Sequence, residues 1–113
     1  MKKQMKHKIY YSMESRRDLN EIWEYIASEL QNTSAAERVV TDILDAVQQL
    51  EDFAELGAPL SSVADVEGGF RFLVTGNYLT FYRIKSSGGV YIDRILYGRR
   101  DYLRILFGTA GDK

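Results

Sequence analysis

The spacing of apolar residues predicts a strand followed by a helix at the start of the chain. Residues 7–13, HKIYYSM, form an aromatic and β-branched run that is typical of a strand. From Ser15 onward, apolar residues recur every three or four positions, as they do on one face of a helix. Ser15 and Asp18 have the spacing of a capping box at the start of this helix. The helical stripe consists of Leu19, Ile22, Trp23, Ile26, Ala27 and Leu30.

A second helix is predicted after a short polar break. The segment NTSAAERVV ends the first stripe and begins another, with Ser34 and Glu37 at capping-box spacing. The apolar pattern predicts a helix that runs to about residue 53. Because few residues separate the two helices, we expect them to fold back as an antiparallel hairpin. The second stripe consists of Ala36, Val39, Val40, Ile43, Leu44, Val47 and Leu50.

The remainder of the chain predicts a small sheet. Residues 55–69, ELGAPLSSVADVEGG, contain the single proline and predict a loop. Aromatic and β-branched runs at 70–74, 78–84 and 90–97 are separated by TGN and KSSGG, which favour tight turns. They predict a three-stranded antiparallel meander, followed by a short helix that Asp101 can cap. The fold class is therefore α+β: an N-terminal strand, an antiparallel helical hairpin, the meander and a short C-terminal helix.

Both faces of the predicted sheet are partly apolar. Alternation with a period of two divides the last strand into two sets of residues. The first set is Val90, Ile92, Arg94 and Leu96, and the second is Tyr91, Asp93, Ile95 and Tyr97. A helical hairpin covers one face, so two expectations remain for the other. Either the C-terminal helix or the flank of the first strand covers it, or its aromatic residues form a surface for a partner.

The composition indicates a single domain. The chain has 113 residues, of which 45% are hydrophobic and 27% are charged, and it has no cysteine. This length suits one domain at residues 1–113, with a structured core at 8–107. The lack of cysteine excludes disulfides and zinc-thiolate sites, and it is compatible with the cytoplasmic location that we expect. No apolar run is long enough to span a membrane, so a membrane partner is not expected.

Charge is unevenly divided along the chain, although the formal net charge is only -1. Acidic residues predominate at 14–67, and basic residues predominate at 68–107. A polarised surface of this kind can steer an anionic partner, although the two halves can also pair with each other. The basic residues of the second half are Arg71, Arg83, Lys85, Arg94, Arg99, Arg100 and Arg104.

The sequence offers few residues for catalysis. The single histidine, His7, lies beside lysines without a second ligand at metal spacing, so we expect a solvated residue and no metal site. The usual Ser-His and Cys-His nucleophile pairs are not expected for the same reason. Tyrosines interleaved with arginines suit stacking on bases and binding to phosphates, although tyrosines are also ordinary core residues. RNA cleavage at such a site would use the substrate 2′-hydroxyl, with arginines stabilising the phosphorane and a tyrosine or carboxylate moving protons.

Three segments of the chain together resemble a known family. They are SRRDLNEIWEYIASELQNTSAAERVVTDIL, YLTFYRI and RILYGRRDYLRIL. In order and spacing they resemble the RelE/ParE superfamily, the toxins of type II toxin-antitoxin modules, over about residues 9–107. The matching positions are Leu19, Glu21, Ile22, Tyr25 and Ile26, the AAERVV opening of the second helix, Arg71, and GRRD at 98–101.

The resemblance implies a fold, a partner and a mechanism. The implied fold is a helical hairpin packed on an antiparallel sheet, with no cofactor. The implied partner is an antitoxin whose disordered tail folds over the toxin in a heterotetrameric complex. The implied antitoxin contacts are Trp23, Tyr91 and Ile95.

The superfamily divides by target. RelE-like members cut messenger RNA on the ribosome with a cluster of basic residues and a C-terminal tyrosine or histidine, whereas ParE-like members inhibit DNA gyrase. The long hairpin resembles the ParE side, so we expect a plasmid-stabilisation toxin that binds gyrase. Its target contacts would be Arg71, Arg83, Arg94, Tyr97, Arg99 and Arg100.

Two alternatives to gyrase binding stay open at this point. One is a ribosome-dependent endoribonuclease, although Tyr97 stands where many relatives have histidine. Its catalytic residues would be Arg71, Arg99, Arg100 and Tyr102. The other is a non-toxic relative that only binds an antitoxin.

Overall fold

The computed structural model describes residues 6–66 and 68–108, and it has the predicted α+β architecture. A π-helical segment, Tyr25–Glu29, extends the first helix, and short 3-10 turns follow the second helix and the second strand. The elements in chain order are β1 Ile9–Tyr11, α1 Met13–Glu24, α2 Thr33–Gln48, β2 Ala58–Pro59, β3 Arg71–Thr75, β4 Tyr78–Ile84, β5 Val90–Tyr97 and α3 Tyr102–Phe107.

One sheet contains the five strands, in the order β1-β5-β4-β3-β2. The predicted antiparallel meander of β3, β4 and β5 is confirmed. β1 pairs in parallel with β5, so the first strand lies beside the last. The prediction of a loop at 55–69 is wrong at Ala58 and Pro59, which pair with β3 at the edge of the sheet. An edge strand of this length tolerates proline and leaves no apolar run in the sequence to mark it.

Side-chain caps determine where the two long helices begin. The Ser12 hydroxyl, rather than that of Ser15, caps α1, and it accepts a hydrogen bond from the Ser15 N–H at 2.9 Å. Asn32, rather than Ser34, caps α2 and accepts a hydrogen bond from the Ala35 N–H at 3.0 Å. Both predicted capping boxes are therefore wrong in register, because a polar residue just upstream takes the cap position. The hairpin itself is as predicted.

Apolar clusters lie on both faces of the sheet. The larger one fills the space between the helical hairpin and the sheet, with Ile43, Val47, Tyr82 and Ile92 fully buried. The smaller one lies on the opposite face, where residues of α3 pack against a buried group. That group is Leu60, Phe81 and Leu96. The expectation that the C-terminal helix covers the second face is thus correct for the centre of that face.

A bulge in β5 changes which of its residues face the helices. The register between β4 and β5 shifts between Phe81 and Tyr82, which leaves Asp93 as an extra residue. The strict alternation predicted for β5 is therefore wrong beyond this point. Ile95, predicted as an antitoxin contact, lies in the cluster under the helices at 1% exposure. Leu96 lies in the cluster on the opposite face.

The Asp18 carboxylate attaches α1 to the edge of β5. β1 pairs with β5 only as far as Ile92, and within residues 6–66 and 68–108 no strand lies beside the following part of that edge. Asp18, which is 5% exposed, accepts the Ile95 N–H there at 2.9 Å. It also accepts two hydrogen bonds from the Arg94 guanidinium, at 2.8 and 2.9 Å. These hydrogen bonds raise the pKa of Arg94 above its usual value.

We expect Asp18→Ala to lower the free energy of unfolding by about 3 kcal/mol, because it leaves the Arg94 charge and the Ile95 N–H without their acceptor. Urea unfolding followed by circular dichroism measures this loss. A matched control is Asp52→Ala, which removes a surface carboxylate 3.9 Å from the Lys6 ammonium. This change should cost less than about 1 kcal/mol. Equal losses in the two variants would contradict the assigned role of Asp18.

Candidate functional site

Two of the predicted target-binding arginines are occupied by internal partners. Arg83 donates hydrogen bonds to Asp93 at 3.0 and 2.7 Å, and its guanidinium lies 4.9 Å from the centre of the Phe70 ring. Its hydrogen bonds with Asp93 raise the pKa of Arg83 above the usual value. Arg94 is held by Asp18 in the same bidentate manner. Both charges are therefore balanced within the fold.

Arg71 and Tyr82 together anchor the segment that follows α2. The Arg71 guanidinium donates to the carbonyl oxygens of Gly57 at 2.9 Å and of Glu55 at 3.3 Å. The Tyr82 hydroxyl accepts from the Gly57 N–H at 2.9 Å and donates to the Ala54 carbonyl at 2.8 Å. Arg71 therefore has a structural role beside this segment, in which backbone oxygens satisfy its donors.

We expect Tyr82→Phe to lower the free energy of unfolding by about 2 kcal/mol at neutral pH, because two buried backbone groups lose their partner. Burial raises the pKa of Tyr82 above 10.0, so the unfolded chain loses this proton first. Stability from this group is thus complete below pH 10.0 and declines as the pH rises further. Urea unfolding between neutral pH and pH 11 should show a smaller alkaline loss in Tyr82→Phe than in the wild type.

The control for this pH dependence is Tyr10→Phe, which changes a tyrosine that is 41% exposed. It should keep the alkaline loss of the wild type. Burial also raises the pKa values of Tyr11 and Tyr78, so the loss is reduced in Tyr82→Phe rather than abolished. An unchanged alkaline slope in Tyr82→Phe would contradict the assignment.

Arg99 and Arg100 lie exposed just beyond β5, and with Tyr97 they form a surface that we term the arginine end. Tyr97 is 40% exposed. The Gly98 N–H donates to the Asn77 carbonyl at 2.8 Å, and the Arg100 N–H donates to the Tyr97 carbonyl at 2.9 Å. The backbone that carries the two guanidinium groups is therefore fixed to the β3–β4 turn.

The residues of the predicted nuclease alternative are not brought together on one face of the sheet. Arg71 is opposite Tyr82 in the register, so it shares the side that faces the helices. The Tyr102 ring packs on the other side, 5.2 Å from the Phe81 ring. The arginine end begins at Tyr97, about 13 Å along the ladder from Tyr82 at the usual rise of a strand.

The predicted antitoxin contacts lie in three different environments. Trp23 is half-buried in a groove formed by α1, α2 and β1. Tyr91 is 36% exposed on the opposite side of the sheet, and Ile95 is in the core. The groove is lined by Tyr11, Arg16, Leu19, Asn20, Trp23, Val40 and Leu44. Among the predicted contacts, Trp23 is therefore the one that lies in a concave apolar surface.

A stacked tyrosine pair was not anticipated from the sequence. The rings of Tyr10 and Tyr91 are 4.7 Å apart with an angle of 19° between their planes. The Lys85 ammonium lies 5.1 Å from the centre of the Tyr91 ring. The pair depends on the parallel pairing of β1 with β5, which places Tyr10 opposite Tyr91. The sequence of each strand by itself does not show which strand lies beside it, so it does not predict this contact.

His7 is not the solvated residue that the sequence predicts. It is half-buried, and its Nδ1 atom lies 2.8 Å from the Gly88 carbonyl oxygen. Its backbone N–H donates to the Glu51 carbonyl at 2.8 Å. His7 therefore joins the start of the fold to the β4–β5 turn.

Within residues 6–66 and 68–108, no cluster of histidine and acidic side chains is suited to holding a metal ion. In the same part of the chain, no helix has the length and apolar character needed to cross a membrane.

The helical hairpin on a mostly antiparallel sheet, closed by a C-terminal helix, is the fold that the resemblance to the RelE/ParE superfamily implies. Residues 9–102 match the family described as the ParE toxin of type II toxin-antitoxin system, parDE. The chain belongs to this family. No curated protein matches it in sequence.

Solved structures have the same fold. A chain of the chromosomal ParDE toxin-antitoxin system from P. aeruginosa superposes with a TM-score of 0.67 at 24% identity, covering 80% of this chain and 95% of that one. A chain of the RelBE2 toxin-antitoxin complex from Mycobacterium tuberculosis gives 0.60 at 19% identity, covering 86% and 97%. At these identities the similarity establishes the fold alone.

Proposed function

We propose that this toxin inhibits DNA gyrase by binding it through the arginine end. The observation that carries the proposal is the division of the arginines into two groups. Arg71, Arg83 and Arg94 donate to acceptors inside the fold, whereas Arg99 and Arg100 are exposed on a backbone fixed by hydrogen bonds. Exposed guanidinium groups on a fixed backbone can bind carboxylates on a protein partner in bidentate fashion.

Binding is favoured over RNA cleavage by the positions of the candidate catalytic groups. Arg71 lies on the helix-facing side and donates to backbone oxygens, while Tyr102 packs in the apolar cluster on the other side. Stabilisation of a phosphorane needs donors that converge on one reacting group. The arrangement therefore supports a toxin whose activity comes from complex formation.

A cognate antitoxin is the second proposed partner, and the groove around Trp23 is its proposed docking surface. This groove joins apolar side chains of α1, α2 and β1, and Leu44 at its rim is 38% exposed. An amphipathic segment of a disordered antitoxin tail can lay its apolar face into such a groove. The groove belongs to the helical layer, whereas the arginine end lies beyond the last strand.

We expect the double change Arg99→Ala and Arg100→Ala to weaken gyrase inhibition about tenfold or more, because it removes two exposed contact groups at the centre of the proposed interface. The measurement is a supercoiling assay with purified gyrase and the purified toxin. Arg38→Ala is the matched control, since it removes an exposed arginine from α2. Equal inhibition by all three proteins would contradict the assignment of the arginine end.

Pulse labelling in bacteria tests the target itself. After induction of the toxin alone, thymidine incorporation should fall in the first minutes while methionine incorporation continues. An early fall in translation would instead identify the ribonuclease, and no fall in either would identify a non-toxic relative.

We expect Trp23→Ala to leave toxicity unchanged and to weaken neutralisation by the cognate antitoxin, because an aromatic anchor is lost from the groove. Co-expression of toxin and antitoxin, scored by colony formation, measures this effect. Phe53→Ala is the control, since Phe53 is 64% exposed and does not line the groove. As Trp23 is the single tryptophan, its fluorescence also reports antitoxin binding to the wild type. Full neutralisation of Trp23→Ala would place the antitoxin elsewhere.

A further inference from the structure

The stacked tyrosines lie in an exposed basic surface that neither proposed partner uses. Tyr10 and Tyr91 are partners in the β1–β5 register, and Arg83 is opposite Tyr91 in the β4–β5 register. Lys8 precedes Tyr10 by two residues and its carbonyl accepts the Val90 N–H, so strand alternation places both side chains on the same face. We term this the tyrosine-lysine surface. Its members are Lys8, Tyr10, Arg83, Lys85 and Tyr91.

The charge of the tyrosine-lysine surface is positive. The acid that lies on it, Asp93, is bound by the two hydrogen bonds from Arg83. That pair is internally neutral, so Lys8 and Lys85 provide the excess charge. The Lys85 ammonium lies over the Tyr91 ring, and among residues 6–66 and 68–108 it forms no ion pair with a carboxylate within 4.0 Å. A ligand for this surface is therefore expected to be anionic.

The two rings are in place before any ligand binds. Gly89 lies directly beneath them, and a Cβ atom there would come within 3.1 Å of the Tyr10 ring and 3.5 Å of the Tyr91 ring. The contact between His7 and the Gly88 carbonyl fixes the adjoining turn. Tyr10 is 41% exposed, so part of its side chain is accessible to a ligand, and its stacking on Tyr91 limits the side-chain entropy lost on binding.

We propose that the tyrosine-lysine surface binds single-stranded DNA, with a base stacked on Tyr10 and adjacent phosphates at Lys8 and Lys85. Aromatic rings beside a line of cations form the recurring platform for single strands, because every base has a π-face and every linkage has a charge. The choice of DNA over RNA rests on the proposed function, because gyrase acts on DNA. The choice of a single strand rests on the stacked rings alone, because the bases of a duplex are already stacked on one another. The stacking and charge features do not depend on that target.

The observations favour a nucleic acid over an acidic peptide. Both are anionic, but peptides that bind along strands place alternate side chains in pockets. The tyrosine pair presents a ring face, with an angle of 19° between its two planes, and this geometry suits another aromatic plane. An acidic peptide is therefore treated as an outcome of the test.

The test uses the full chain and a fluorescein-labelled oligothymidylate of about ten nucleotides, followed by fluorescence anisotropy. We expect Tyr10→Ala to weaken binding about tenfold, and Tyr10→Phe to bind as the wild type does, because it keeps the ring. The matched control is Tyr25→Ala, which removes a tyrosine that is 55% exposed on the helical layer. Lys85→Gln should reduce the salt dependence of binding by about one phosphate contact. Circular dichroism verifies that each variant is folded.

Several results would overturn the proposal. Failure of the wild type to bind, or equal affinity of Tyr10→Ala and wild type, removes the stacking platform. Displacement of the oligonucleotide by an equal concentration of polyglutamate assigns the surface to an acidic peptide. Tighter binding of oligouridylate assigns it to RNA. A change in sedimentation of Tyr10→Ala with unchanged DNA affinity assigns it to a second copy of this chain.

The assay contains no gyrase, so its result is separate from that of the proposed function. Loss of DNA binding in Tyr10→Ala with wild-type gyrase inhibition would leave both proposals standing on different surfaces. Absence of oligonucleotide binding by a wild type that inhibits gyrase would reject this inference alone.

Discussion

The structure depends on one requirement, which is that the edge of β5 beyond β1 must find hydrogen-bond acceptors. Asp18 meets it, because its carboxylate accepts the Ile95 N–H and both arms of the Arg94 guanidinium. A buried carboxylate is stable in this place because it is fully hydrogen-bonded and paired with a cation. The same contact fixes α1 against the sheet, and with α1 it fixes the groove that contains Trp23.

The bulge at Asp93 links this anchor to the rest of the sheet. By adding one residue to β5, it brings Ile95 under the helices and leaves Asp93 positioned to bind Arg83. The two bidentate ion pairs involve the bulge residue Asp93 and its neighbour Arg94. Several of the arginines in the second half of the chain therefore stabilise the fold. The arginines that remain exposed, Arg99 and Arg100, lie where the strand has ended.

The surfaces proposed to bind partners are distributed over different elements. The groove belongs to the helical hairpin, the arginine end to the segment after β5, and the tyrosine-lysine surface to the paired first and last strands. In the proposed scheme, this separation allows the antitoxin to bind the helical layer while the basic surfaces lie elsewhere. Hydrogen bonds fix the backbone of the arginine end, and ring packing orders the Tyr10–Tyr91 pair.

The helices and strands can be predicted from the sequence, because the spacing of apolar residues and the presence of turn residues are local properties. It predicted β4 and β5 at their observed bounds, the hairpin, the C-terminal helix capped by Asp101, and the superfamily. Only the tertiary structure decided which arginines are occupied and that Ile95 is buried, since a bulge and a carboxylate from a distant helix fix both. One local pattern does indicate that Asp18 faces the interior, because Asp18 lies on the same face of α1 as Ser15 and Ile22. No local pattern in the sequence indicates that Tyr10 stacks on Tyr91, because the pairing of the first strand with the last creates this contact.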